Sequence, residues 1–340
     1  MIEGLPIGPL GRYLEGRIAG FRGLRAARKF SDGQSNPTYR LQADSGDYVL
    51  RRKPGGDLLK SAHAVDREFR VLTALQDTPV PVARGLHLCT DESVIGAMFY
   101  VMEFVEGRVF WDPALPGLEA PERAAIYDAM NATLAAIHSV DPAAVGLADF
   151  GQRGGYYARQ YATWTRQYRA TETETMPEME RIMAWLDSNM VADDGRVSLV
   201  HGDYRLDNVM FAPDAPRVAA VMDWELSTLG HPLADLAYQC MLWRMPPGPV
   251  LSGLEGIPRA ANGLPEEAEY VARYCDRMGI SRIDDWHFYL AFGLFRLAAI
   301  VQGVKFRALA GNASSDRAMQ VGALAKPLAR KACDILDAEG

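Results

Sequence analysis

The apolar positions of the first hundred residues switch between helical and strand-like patterning. Leu10, Tyr13, Leu14, Ile18 and Phe21 recur at helical spacing, so an amphipathic helix is expected to open the chain. A polar, turn-rich stretch follows at 30–37. Residues 38–41 and 48–51 read as two strands, which Asp44-Ser45-Gly46-Asp47 turns into a hairpin. Lys53-Pro54-Gly55-Gly56 ends the second strand. Residues 62–75 return to helical spacing, with Val65, Phe69, Leu72 and Leu75 on one face, and two more strands are expected at 85–89 and 98–104. Beyond Gly107 helices take over, at 120–140, 155–170, 177–190, 232–243, 265–279, 285–304 and 316–337. A short β stretch at 209–211 and 218–222 interrupts them. The first third is therefore strand-rich and the rest mostly helical, an α+β arrangement divided at 1–105 and 106–340. Residues 246–265 are dense in Gly and Pro and read as one long loop.

Composition adds bounds to this picture. The chain of 340 residues is long enough for two domains or one large two-lobed one, and 49% hydrophobic against 23% charged residues is the balance of a globular protein with a real core. A net charge of -7 argues against general binding to nucleic acid or to an anionic membrane surface. Cys89, Cys240, Cys275 and Cys333 are scattered and form no C-x-x-C pair, which suggests a reducing cytosol rather than a zinc or redox site. The most apolar segment, 288–301, is interrupted by Arg296 and is short for a membrane span; no secretory signal is visible, so a cytoplasmic location is expected. Oligomeric state is left open.

The chemistry concentrates in His201-Gly202-Asp203-Tyr204-Arg205-Leu206-Asp207-Asn208, followed by Val221-Met222-Asp223. An Asp five residues before an Asn is weak alone, since the spacing arises by chance in long chains. Its context strengthens it. The hairpin predicted at 209–222, turned at Asp214-Ala215-Pro216, is expected to return Asp223 to the neighbourhood of Asn208. Phosphoryl transfer asks for this set: one carboxylate to orient a hydroxyl, and an amide and a second carboxylate as oxygen ligands for magnesium. Asp203 takes the first role, with Asn208 and Asp223 as metal ligands. His201 is expected to pack and hydrogen-bond the loop rather than act as a base.

His-Gly-Asp-x-x-x-x-Asn with an Asp after an apolar strand resembles the signature of the aminoglycoside phosphotransferase and choline kinase-like family, relatives of the protein kinases. Gly202 stands where protein kinases carry Arg. Residues 48–54, 61–68, 99–108 and 222–225 resemble more closely the kinase-like domain of acyl-CoA dehydrogenase family members 10 and 11 and its stand-alone bacterial relatives. The resemblance implies a bilobal protein-kinase-like fold, with a nucleotide-binding lobe of antiparallel sheet plus helix and a larger helical lobe. It implies ATP and Mg2+ as cofactors and a small-molecule hydroxyl as acceptor. By position it makes Arg51 the phosphate-holding cation, with Lys53 as rival, and Glu68 its helix partner. Val49 lies against the adenine, and main-chain groups of Glu103 and Val105 meet its edge. Ser31, Gln34, Ser35 and Asn36 form the cover loop over the phosphates. Asp235 matches a residue that braces the catalytic loop.

The acceptor is read from a different region. Residues 286–311 contain no Asp or Glu but do contain Arg296, Lys305 and Arg307, beside Trp286, Phe288, Tyr289, Phe292 and Phe295. Most of these rings are expected in the core. An apolar wall with cations nevertheless suits an anionic or amphipathic hydroxylated metabolite such as a 4-hydroxyacyl-CoA, as the resemblance also implies. A second stripe, Tyr157, Tyr161, Trp164 and Tyr168, reads as helix packing, with a pocket wall as the alternative. The rival functions are an aminoglycoside or other cationic-alcohol kinase and a non-catalytic nucleotide-binding protein. Protein kinase activity is disfavoured because no A-P-E-like segment follows Asp223, and a metal hydrolase by the scatter of the six histidines.

Overall fold

A computed structural model describes residues 5–30, 36–54, 65–311 and 317–338. The chain divides into two compact units: Met1–Arg108 with Met210–Asp214 and Val218–Ser227, and Val109–Val209 with Ala215–Arg217 and Thr228–Gly340.

The first unit begins with helix α1 (Ile7–Glu15) and strands β1 (Leu24–Lys29), β2 (Thr38–Ala43) and β3 (Gly46–Arg52). Helix α2 (Val65–Leu75) and strands β4 (Gly85–Cys89) and β5 (Phe99–Glu103) follow. The five strands form an antiparallel sheet in the order β1-β2-β3-β5-β4. Alternation along the strands gives the sheet two different faces. Leu41, Leu50, Phe99 and Val101 join Leu10 and Leu14 of α1 in one buried cluster. The opposite face carries Tyr100, whose ring lies 5.8 Å from that of Phe69 on α2. Gly85 permits this approach, because a Cβ there would meet the Phe69 ring at 2.9 Å.

Two expectations change here. The opening helix stops at Glu15, although Ile18 and Phe21 are buried in the same cluster. Their helical spacing reflects burial beneath a turn rather than a continued helix. Strand β1 was absent from the pattern because its sequence, Leu-Arg-Ala-Ala-Arg-Lys, buries only Ala27 fully. It is an edge strand, and edge strands tolerate charge.

Strand β6 (Arg108–Val109) leads into the helical region, with α3 (Ala120–Ser139), α4 (Tyr156–Thr171) and α5 (Pro177–Ser188). Then come β7 (Ser198–Val200), β8 (Val209–Phe211), β9 (Val218–Val221) and β10 (Thr228–Gly230). The chain closes with α6 (Leu233–Trp243), α7 (Glu267–Met278), α8 (Trp286–Leu309), α9 (Ala318–Gly322) and α10 (Ala325–Ala338). Strands β6, β8 and β9 form one small sheet, and β7 pairs with β10 in another. The helix expected over 316–337 is two helices, broken at Ala323 and Leu324. The loop at 246–265 contains a 3-10 turn at Ala260–Asn262 and is tied down by main-chain bonds from Gly253, Leu254 and Glu255 to Pro246, Trp243 and Met245.

Helix α8 is the spine of the second unit and packs against α4, α6 and α10. At 24 residues it is longer than expected, and by length and composition it is apolar enough to cross a membrane. Yet 78% of its most apolar window is buried within the protein. Tyr157 of α4 sits among Phe288, Tyr289 and Phe292, with ring centroids 5.0 to 5.5 Å away. Both aromatic stripes are thus largely packing surfaces. The four cysteines are buried free thiols.

Candidate active site

The second unit carries the loop with Asp203. Strand β7 delivers His201, and Gly202 turns the chain at φ 86°, a left-handed conformation that a side chain would oppose. Asp203 follows, and a 3-10 turn at Leu206–Asn208 leads into β8. The turn is held from below by Asp235 on α6, which is 1% exposed. The His201 and Gly202 N–H groups donate to the two oxygens of its carboxylate at 2.7 and 2.8 Å. His138 Nε2 lies 3.3 Å from the same group. Burial opposes ionisation of Asp235, but His138, His201 and the Gly202 N–H outweigh it and hold its pKa below the usual carboxylate range. The buried anion is paired and hydrogen-bonded, as its position requires.

Other side chains fix the rest of the loop. The Asp203 N–H donates to His201 Nδ1 at 3.2 Å, and the Tyr204 hydroxyl donates to the Met130 carbonyl at 2.8 Å. His201 is therefore an internal brace, as its sequence context suggested. The Asn208 amide nitrogen donates to both the carbonyl and the carboxylate of Asp203, each at 2.9 Å. That fixes the amide orientation and leaves its carbonyl oxygen as the available ligand atom. Arg205 places Nε 3.4 Å from the Asp203 carboxylate and Nη2 3.0 Å from that of Asp207. Tyr238, one turn after Asp235 on α6, faces Asp203; burial and then the Asp203 charge push its phenol well above the ordinary range. Neither Arg205 nor Tyr238 was singled out in the sequence, where only the i, i+3 spacing from Asp235 marks Tyr238.

The first unit carries an acidic cluster around one arginine. Arg51 and Tyr100 are cross-strand neighbours on the α2-facing side of the sheet, and both reach Glu68 in the first turn of α2. Arg51 Nε lies 3.0 Å from the Glu68 carboxylate, and its Nη2 lies 2.8 Å from Asp223 and 3.6 Å from Glu225. The Tyr100 hydroxyl donates to Glu68 at 3.5 Å. Asn36, 2% exposed, donates from its side-chain amide to Glu225 at 3.2 Å. Burial works against the Arg51 cation, but Glu68, Asp223 and Glu225 more than offset it and raise its pKa. Glu68 moves the other way for a carboxyl: burial pushes it up, Arg51 pulls it back, and Asp223 and Glu225 add to the rise, to about 8. Three acids share one cation, so the raised direction is the physically expected one.

Of the expected pair, Arg51 rather than Lys53 meets Glu68. Val49 is buried on the same strand face as Arg51. Glu103 ends β5, and Val105 follows in the coil at 104–107. Ser31, Gln34 and Ser35 lie outside the described residues. Asp223 has left-handed backbone, φ 60° and ψ 63°, uncommon for a residue with a side chain and frequent at functional positions. It follows β9 by two residues, while Asn208 immediately precedes β8.

The donor sets suit the implied cofactors. Asn208 and Asp223 offer hard oxygen atoms, which magnesium prefers. Arg51 offers a planar, permanently charged fork that matches phosphate oxygens. In the acid-free segment the three cations separate: Lys305 pairs with Glu174, Arg307 is exposed, and Arg296 is buried.

Residues 26–287 match the profile of the phosphotransferase enzyme family. Mouse acyl-CoA dehydrogenase family member 10 is 48% identical over 338 residues, 99% of this chain and 32% of that protein. Human family member 11 is 43% identical over 323 residues, 93% of this chain and 41% of that protein. The chain thus spans about a third to two-fifths of these relatives. A crystal structure from Ralstonia eutropha JMP134, provisionally described as an aminoglycoside phosphotransferase, is 48% identical with a TM-score of 0.89, covering 96% of this chain and 97% of that one. A thermostable mutant of the aminoglycoside phosphotransferase APH(4)-Ia, solved with ADP and hygromycin B, is 14% identical with a TM-score of 0.63 over 96% of this chain and 98% of that one. At that identity the likeness speaks for the fold alone. Fold, loop and sequence agree, and the chain belongs to the phosphotransferase enzyme family.

Proposed function

We propose that the chain moves the γ-phosphate of ATP to a hydroxyl of a small anionic or amphipathic molecule, such as a hydroxyacyl-CoA, with magnesium. The observation that carries this reading is the Asp203–Asn208 pair on a loop clamped through its main chain by Asp235. Asp203 is the carboxylate that aligns the acceptor hydroxyl and takes its proton. Asn208 and Asp223 are the metal ligands; magnesium bound there supplies charge neutralisation at the phosphate oxygens. Arg51, positioned by Glu68, binds phosphate oxygens. Asn36, with Ser31, Gln34 and Ser35, belongs to the cover loop. Val49 and the main chain of Glu103 and Val105 receive the adenine.

The acceptor class rests on two supports. Relatives at 43 to 48% identity, of which the chain spans 32 to 41%, bear acyl-CoA dehydrogenase names, so an acyl-CoA acceptor would suit the proteins that carry this domain. The helix with the buried Arg296 also lacks the acidic residues that a polycationic acceptor would call for. Free cysteines agree with a cytoplasmic setting.

The test is an ADP-release assay with magnesium and a panel of acceptors, products being identified by 31P NMR. Turnover of hydroxyacyl thioesters or hydroxy acids is expected. Efficient phosphorylation of kanamycin-type compounds with none of the anionic acceptors would replace this acceptor class with the aminoglycoside one. Nucleotide binding without transfer to any acceptor would favour a non-catalytic role.

A further inference from the structure

Arg296 is a buried cation with no neutralising carboxylate among the described residues. It lies on α8, is 9% exposed, and makes no hydrogen bond or ion pair among the described residues; its Nε is a buried polar atom without a partner. Its guanidinium carbon stands 5.7 Å from the centre of the Trp164 ring on α4. Tyr156 at the start of α4 and Tyr238 on α6 both sense its charge. Burial pushes both phenols up, and Arg296 draws both back. Tyr238 also faces Asp203. Helix α8, which carries Arg296, packs directly against α6, which carries Tyr238 and the loop-bracing Asp235, all within the second unit.

A buried guanidinium without a carboxylate is costly. Removing an ion from water is offset only by a partner charge or by a full set of hydrogen bonds. Lys305, further along the same helix, has such a partner in Glu174. Cation–π contact with Trp164 supplies only part of the compensation. A neutral residue of similar volume would fill the space without that desolvation.

We propose that Arg296 binds an anionic oxygen group of the acceptor, a carboxylate or a phosphate ester, and so selects anionic alcohols for Asp203. The inference rests on the reading of Asp203 as the group that receives the acceptor hydroxyl. A guanidinium offers two parallel N–H donors to such a group. A polycationic acceptor would meet like charge instead.

Three four-carbon probes of matched length test it: 4-hydroxybutyrate, 4-hydroxybutyl phosphate and uncharged 1,4-butanediol. Each is titrated calorimetrically into the full chain saturated with magnesium and ADP. At least one anionic probe is expected to bind about 10- to 100-fold more tightly than the diol, the range for a hydrogen bond to a charged group. Which anion gains shows whether carboxylate or phosphate is read. Arg296→Met is expected to erase the preference without weakening ADP binding, and Arg296→Lys to keep part of it. Equal binding of all three probes to the wild-type chain overturns the proposal, whatever the folding of the variants. So does a preference that survives in Arg296→Met. A role in packing alone would lower Tm and weaken the diol and the anions alike. If the preference holds but no acceptor is ever phosphorylated, the proposed reaction fails and the anion site stands.

Discussion

The side-chain amide of Asn208 donates to the carboxylate of Asp203 at 2.9 Å. The two ends of the D-x-x-x-x-N spacing are thus joined directly, and the residues between them form the turn that permits it. The donor that fixes the Asp203 carboxylate is the side chain whose remaining oxygen suits magnesium. Loss of either residue is expected to disturb both roles.

Asp203→Ala removes the group proposed to align and deprotonate the acceptor. Transfer should fall by about 10²- to 10⁴-fold, the contribution of a positioned general base. ATP affinity, measured by titration, should fall far less than turnover. A variant with near-normal turnover would take Asp203 out of the reaction.

Asp235→Asn replaces an acceptor of two main-chain N–H groups with one that faces one of them with its own donor. Charged hydrogen bonds of this kind contribute about 1.5–3 kcal/mol each. A lower Tm is expected, with a larger loss in kcat than in the KM for ATP. The native pKa of Asp235 is lowered, so its contribution is present above the unfolded carboxylate value. It disappears as pH falls through the native value. The stability gap between wild type and variant should therefore narrow in acid; a gap that stayed constant would show that the charge is not what matters.

Glu68 has the opposite linkage. Its folded-state pKa, about 8, is above the ordinary carboxyl value of 4.5. The stability this gives is full below pH 4.5 and is lost as pH rises through 8. Glu68→Gln imitates the protonated form at every pH. The variant should gain Tm relative to wild type between pH 6 and pH 9, as seen by thermal denaturation. A relative loss over that range would contradict the shift.

Arg51→Ala leaves Glu68 buried beside Asp223 and Glu225 without its cation. Three carboxyl groups lose their shared donor at a largely buried position, so stability is expected to fall. Arg51→Lys keeps the charge but not the fork that reaches three carboxylates, so a higher KM for ATP is expected with most of the stability retained. Denaturant unfolding combined with nucleotide titration separates the two effects.

Gly202→Ala places a side chain at φ 86°. Left-handed backbone disfavours such a residue by about 1–2 kcal/mol. The strain falls one residue before Asp203, so kcat should drop more than Tm. Equal activity of variant and wild type would mean that the loop absorbs the change.

Much of this site was legible because its parts are local. The spacing of Asp203 and Asn208, the hairpin at 209–222 and the strand bearing Arg51 each lie within a few residues of chain. The helices of the second unit were also readable, since long apolar periods survive without tertiary context. What escaped depends on distant partners. Strand β1 is mostly charged and is defined by its pairing with β2. Ile18 and Phe21 continue a helical spacing beyond the helix itself. The three cations of 286–311 look alike in sequence, yet Glu174, more than a hundred residues away, neutralises Lys305 and leaves Arg296 as the unusual one. Glu225 joins the Arg51 cluster only because the hairpin folds onto the first unit, where the Val221 N–H donates to the Pro81 carbonyl at 2.8 Å.

The grip of Asp235 on the loop runs through the peptide groups of His201 and Gly202. It does not depend on what the acceptor looks like. Helix α8, with Arg296, touches that machinery through packing on α6. On the proposed reading, exchange of residues on α4 and α8 would alter the acceptor while the main-chain clamp on the Asp203 loop stays as it is. The fold then separates the part that must be kept from the part that is free to drift, which gives one scaffold a route to many acceptors.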